Sequence, residues 1–110
     1  MNNKRQKLYI GSNLKMYKTV NETISYLNEL AELTSDISRD ELCLFIIPSF
    51  TALHEASQRV DHHLIKLGAQ NMFWEDKGPW TGEISPIMLR EMEIDIVETG
   101  HSERRQWFGE

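Results

Sequence analysis

The chain has 110 residues, with 17 acidic against 12 basic side chains, a formal charge of -5, and 40% apolar and 26% charged content. That length carries one domain with one core, the composition excludes disordered, collagenous and membrane classes, and the acidic balance argues against binding a nucleic-acid backbone. After the basic start at residues 1–7 comes only Leu8-Tyr9-Ile10, too short an apolar run for a signal-peptide core or a membrane span, so a cytoplasmic location is expected.

Taken in order, the first strand is expected over Lys7–Ser12. A helix follows it, because Thr19-Val20-Asn21-Glu22 fits a capping box and Val20, Ile24, Leu27 and Ala31 then repeat every three to four residues, to an end near Thr34 or Ser35. The run Leu42–Ile47 is apolar without alternation, which suits a parallel strand buried on both faces, and its Cys43, the only cysteine, is expected to be a buried structural thiol. Past Pro48 a second helix should carry Leu53, Ala56, Ser57 and Val60, with Ser49 or Thr51 as its cap. A third strand is expected over Leu64–Ala69. Beyond a long connection from Gln70 to Glu83, Ser85-Pro86 reads as an N-cap and first-turn proline of a short helix bearing Ile87, Met88, Leu89 and Met92. The fourth strand is placed at Asp95–Thr99. Strands alternating with helices are the signature of βαβ units around a parallel sheet.

Two segments carry chemistry. Asn13 and Lys15 leave the first strand together, an amide able to bond an oxyanion and a compact positive charge suited to a phosphate or an enolate. Gly100-His101-Ser102-Glu103-Arg104-Arg105 follows the fourth strand, at the carboxyl end where parallel sheets keep their sites, and the residues after His101 can open a helical turn. An imidazole beside a helix start is biased to its neutral form, which donates a hydrogen bond to a carbonyl. The residues alone leave other readings open: a capping histidine, a surface lysine, a solvated charge cluster. His101-Ser102-Glu103 mimics the H-x-E of zinc deaminases but lacks the paired cysteines, and His54, His62 and His63 read as solvated surface residues rather than metal ligands.

The stretches Asn13-Leu14-Lys15-Met16, Gly68-Ala69-Gln70-Asn71, Trp74-Glu75-Asp76-Lys77-Gly78, Thr81-Gly82-Glu83-Ile84-Ser85-Pro86 and Gly100 to Glu110 resemble, in order and spacing, successive motifs of the triosephosphate isomerase family. The resemblance implies a TIM (β/α)8 barrel of which residues 1–110 form the first four β/α units of one domain, the whole fold running to about 250 residues. It implies interconversion of dihydroxyacetone phosphate and glyceraldehyde 3-phosphate through an enediolate, with no cofactor and no metal. By position, Asn13 and Lys15 bind substrate, Lys15 also stabilises charge, His101 is the neutral electrophile, and Glu103 with Ser102 supports Lys15; a histidine held neutral by a helix start is itself an example drawn from this family. The resemblance further implies a homodimer whose loop from Gln70 to Glu83, with Thr81 at its tip, enters the neighbouring subunit's site; the charge cluster itself leaves open a bridge from an arginine, Arg104 or Arg105, to Glu83. That insertion accounts for Phe73, Trp74 and Trp80.

Departures are present. The family pattern has tryptophan and asparagine where this chain has Leu14 and Tyr17, and an apolar strand where it has Glu98 and Thr99; strand alternation puts Thr99 on the face of His101. These keep open a second reaction, isomerisation of a four-carbon keto-sugar phosphate. The general base, a glutamate in the family, belongs to the second half of the barrel, so these residues supply electrophile and binding groups without it. The expectation is a part of a full-length isomerase; the alternatives are a non-catalytic truncated half barrel that keeps the dimer loop, and an α/β domain without function.

Overall fold

The computed structural model describes residues 6–110; the basic start at residues 1–5 lies outside the described residues. Four strands, β1 (Leu8–Asn13), β2 (Leu42–Ile47), β3 (Lys66–Ala69) and β4 (Ile96–Val97), alternate with four helices, α1 (Val20–Leu33), α2 (Phe50–Arg59), α3 (Pro86–Glu91) and α4 (Ser102–Phe108). The strands form one sheet in the order β1-β2-β3-β4. Every pairing is parallel, with Asn13 opposite Ile47, Ile46 opposite Leu67 and Ala69 opposite Val97. This is the curved wall of the first four β/α units of a TIM barrel, and all four strands end along the same rim.

α1 begins as expected: Thr19 accepts from the Glu22 backbone while the Glu22 carboxylate accepts from the Thr19 backbone. The helix stops at Leu33, one residue before the expected end. α3 is likewise capped by the Ser85 side chain, which accepts from Met88 N–H at 3.3 Å. Ser49 does occupy the N-cap of α2, but its hydroxyl lies 3.3 Å from that of Thr51 and makes no capping bond.

The core lies between helices and sheet, with Leu27, Leu44, Ile46, Leu53, Ile65, Leu67 and Leu89 all buried. β2 is not buried on both faces as its composition suggests: Leu42, Leu44 and Ile46 turn to the helices, while Cys43 and Phe45 on the other face are half-buried, so Cys43 is not a core thiol. Phe45 lies flat against Gly11 on β1, where an added Cβ would stand 2.3 Å from the ring. Edge strand β1 leaves Leu8, Tyr9 and Ile10 at least half exposed. No helix among the described residues is long and apolar enough to cross a membrane.

One histidine departs from expectation, whereas His63 is exposed as expected. α2 ends at Arg59, so His62 and His63 follow the helix rather than ride on it, and His62 is half-buried, its Nε2 2.7 Å from the Ser57 carbonyl. The reach of the turn back to α2 is what takes His62 out of solvent.

Candidate active site

The carboxyl rim of the sheet carries a cleft of about 480 Å³, within the range of small-molecule sites, whose polar lining includes Asn13, Lys15, Gln70, His101, Glu103 and Arg104. Four separate β/α units thus bring the two segments singled out from the sequence into one place.

Lys15 is the first element of that arrangement. It holds a left-handed backbone, φ 52°, rare for a residue with a Cβ and retained only where neighbours over-determine it. Two bonds do so here: Lys15 N–H donates to Asn13 Oδ1 at 2.7 Å, and Gln70 Nε2 donates to the Lys15 carbonyl at 2.8 Å. The ammonium then meets Glu103 Oε1 at 2.6 Å. Glu103's hydrogen bond, and then its charge, raise the Lys15 pKa above its ordinary value; the same bond holds the Glu103 carboxyl below the usual carboxylate range. Both groups are open to solvent, so the pair orients the ammonium more than it stabilises the fold. An ammonium with one donor engaged keeps others for an anionic ligand.

His101 is the N-cap of α4, and its Nδ1 accepts the Glu103 backbone N–H at 3.0 Å. A nitrogen that accepts there carries a lone pair, so the ring proton is assigned to Nε2. Glu103 therefore serves twice, its backbone setting the tautomer of His101 and its carboxylate setting the position of Lys15. Gly100, at φ 64°, makes the left-handed turn that swings His101 away from the line of β4.

That turn reassigns the strand's side chains. β4 closes at Val97, alternation does not carry past it, and it is Glu98, not the exposed Thr99, that faces the site. Glu98 Oε2 accepts from Asn13 Nδ2 at 2.9 Å, and Oε1 lies 3.7 Å from His101 Nε2. The sequence signal for this contact is Glu98 itself, a carboxylate in an otherwise apolar strand, whereas strand alternation favours Thr99.

The remaining positions are distributed as follows. Gln70 begins the long connection yet points into the cleft, onto Lys15, rather than outward with the loop. Thr81 and Glu83 are exposed in that loop. Arg104 does not bond Glu83: its guanidinium is held by Glu110, which also raises its pKa, and Glu83 adds only a weaker through-space pull. Ser102 is an exposed first residue of α4. Leu14 joins the buried core and Tyr17 stands exposed at the mouth of the cleft. Phe73 is buried and stacks on Trp74 at 4.1 Å and against Trp80 at 4.8 Å, so the loop packs largely on itself; Trp80 is tied to Glu75 at 2.7 Å, while Trp74 remains 78% exposed. No group of three or more His, Cys, Asp or Glu side chains converges as a metal cage among the described residues.

An oriented lysine, an amide and an Nε2-protonated imidazole around a small cleft at the carboxyl rim of a parallel sheet coincide with a family comparison: the model of the family described as Triosephosphate isomerase matches residues 8–110. The chain belongs to the triosephosphate isomerase family. Among curated relatives, it is 48% identical over 104 residues to a protein of Rhizobium etli named L-erythrulose-1-phosphate isomerase, covering 94% of this chain and 38% of the relative. It is 50% identical over 101 residues to a Triosephosphate isomerase of Dictyoglomus turgidum, covering 92% of this chain and 40% of the relative. The chain thus spans about two fifths of the length of these triosephosphate isomerase family members.

Proposed function

We propose that the whole protein interconverts a small ketose phosphate and its isomer through an enediolate, with triose phosphate as the substrate. The observation that carries this is the Lys15–Glu103 contact at 2.6 Å in the same cleft as His101. The His101 Nε2–H polarises the substrate carbonyl, Lys15 balances the negative charge of phosphate and developing enediolate, and the second Asn13 Nδ2 proton donates to the same oxygens. Glu103 is committed to Lys15 and Glu98 to Asn13, so neither is free to take the carbon-bound proton. The base is then contributed by the part of the barrel that relatives carry beyond this span, and proton transfer needs no metal or cofactor.

A cytoplasmic homodimer fits this reading, with exposed Trp74 and Thr81 of the loop against a second subunit. A second reading, isomerisation of a four-carbon ketose phosphate, is favoured by the relatives named for L-erythrulose 1-phosphate. Such a substrate adds one carbon and one hydroxyl but requires the same enediolate chemistry.

The test is kcat/KM of the whole protein on triose and tetrulose phosphates side by side. A ratio above about tenfold, ~1.4 kcal/mol, assigns the substrate. His101→Gln should slow the preferred reaction by roughly 10²-fold or more, as loss of a preorganised donor does. Turnover of neither sugar would reject the proposal.

A further inference from the structure

Glu98 stands one residue beyond β4, in a hollow lined by Gly11, Phe45, Ile47 and Ile96 on the sheet face opposite the helices. The side chain is part-buried, 29% exposed, with the polar Ser12 and Asn13 also beside it, and its oxygens can be held by protein. One is: Oε2 takes the Asn13 Nδ2 proton at 2.9 Å, joining β1 to the end of β4 across 85 residues of sequence. The other, Oε1, sits 3.7 Å from His101 Nε2, close enough to attract the ring proton and too far to capture it.

The surrounding bonds make this placement consequential. Asn13 Oδ1 is already taken by the Lys15 backbone N–H, which fixes which end of the amide is oxygen and leaves Nδ2 to be aimed by Glu98. His101 Nδ1 is taken by the Glu103 backbone, which leaves Nε2 as the nitrogen that faces Glu98. The same carboxylate therefore bonds one and lies beside the other of the two groups whose protons are meant for substrate oxygens, without itself lining the cleft.

We propose that Glu98 is a positioning residue for the isomerisation, coupling Asn13 to His101 and keeping the Nε2–H edge of the ring in its working direction. This rests on the isomerase reading of the same site. Glu98 does not meet substrate; it sets the angle at which Asn13 and His101 do. A donor displaced by a fraction of an ångström still binds ligand but stabilises the developing oxyanion poorly, so the effect belongs in kcat rather than in KM.

The experiment compares Glu98→Leu and Glu98→Gln in the whole protein, with steady-state kinetics on the preferred sugar phosphate and ¹⁵N NMR of the His101 ring. Glu98→Leu should lower kcat about tenfold with KM within about threefold, and should shift the His101 Nε2 signal while the Nε2–H tautomer, set by the Glu103 backbone bond at Nδ1, is retained. Glu98→Gln, which keeps an acceptor for Asn13 and loses the charge opposite Nε2, should fall between. Unchanged kcat with unchanged ring signals in the folded leucine variant would show Glu98 to be a mere strand tie and overturn the proposal. If the wild-type protein turns over neither sugar, the substrate reading fails and the ring signals alone decide: a shift supports the coupling, none overturns it. Should the leucine variant not fold, the glutamine variant carries the same readouts.

Discussion

Arg39 tests how the fold is closed beneath the site. It is 8% exposed, and its guanidinium donates to the Leu64 carbonyl at 2.9 Å, to the carbonyls of Thr34 and Ile37 at 2.9 and 2.8 Å, and to Thr34 Oγ1 at 2.7 Å. These bonds clamp the end of α1 to the segment that enters β3. Arg39→Met keeps the aliphatic stem and strips all four, taking a donor from the Leu64 and Ile37 carbonyls, while the Thr34 carbonyl keeps the Ile37 N–H at 3.1 Å. A hydrogen bond from a charged donor contributes ~1.5–3 kcal/mol when buried, and water entering beside Lys7 and His63 can replace part of that. The expected net loss is about 3 kcal/mol, measured by urea unfolding followed through tryptophan fluorescence. Arg39→Lys, which offers a point charge instead of a fork, should recover less than half of it. A loss below about 1 kcal/mol for methionine, or wild-type stability for lysine, would refute the clamp.

The Lys15–Glu103 pair sets a pH window. Glu103 is depressed below its ordinary 4.5, so its share is present above that value and lost as pH falls through the lower folded value; Lys15 is raised above its ordinary 10.5, so its share is present below that and lost as pH rises through the higher one. Glu103→Gln should accordingly bring the alkaline fall in affinity for a phosphate analogue to lower pH, as followed by calorimetry. Gln70→Ala removes the bond to the Lys15 carbonyl and should weaken the same analogue about three- to tenfold, the worth of one such hydrogen bond; unaltered binding would mean the left-handed lysine holds without it. Trp74→Ser leaves the Trp80–Glu75 bond in place and, for the proposed homodimer, should raise the dissociation constant about 30-fold in sedimentation, whereas an unchanged constant would remove Trp74 from the proposed interface.

What could be read from the sequence was what depends on near neighbours or on runs of composition. The box of Thr19 and Glu22 needs residues three apart, and β2 announces itself by six consecutive apolar residues. The Asn13, Lys15 and His101 groups were legible because each leaves the end of a strand, and parallel strands gather such ends on one rim. Residues whose partners are remote were not. Arg39 lies among Asp36, Ser38, Asp40 and Glu41 and reads as a surface turn, yet it is buried because Leu64 presents a carbonyl 25 residues later. Gln70 was assigned to the loop it begins, since nothing local says that its amide turns back 55 residues to Lys15. Glu98 was visible as an anomaly but not as a contact, because its direction depends on where β4 ends and on the turn at Gly100.

The separation of 88 positions from Lys15 to Glu103 is also an interval of time. At roughly 5–20 residues per second of synthesis, the ammonium leaves the ribosome some 4 to 18 s before the carboxylate that orients it. Throughout that interval the first strands can pair and α1 can dock, but the cleft proposed to take the phosphate lacks its fourth side. Affinity of a stalled nascent chain for phosphate is then a clock for the docking of the fourth unit, and chains halted before Glu103 should lack it however well their first three units have folded.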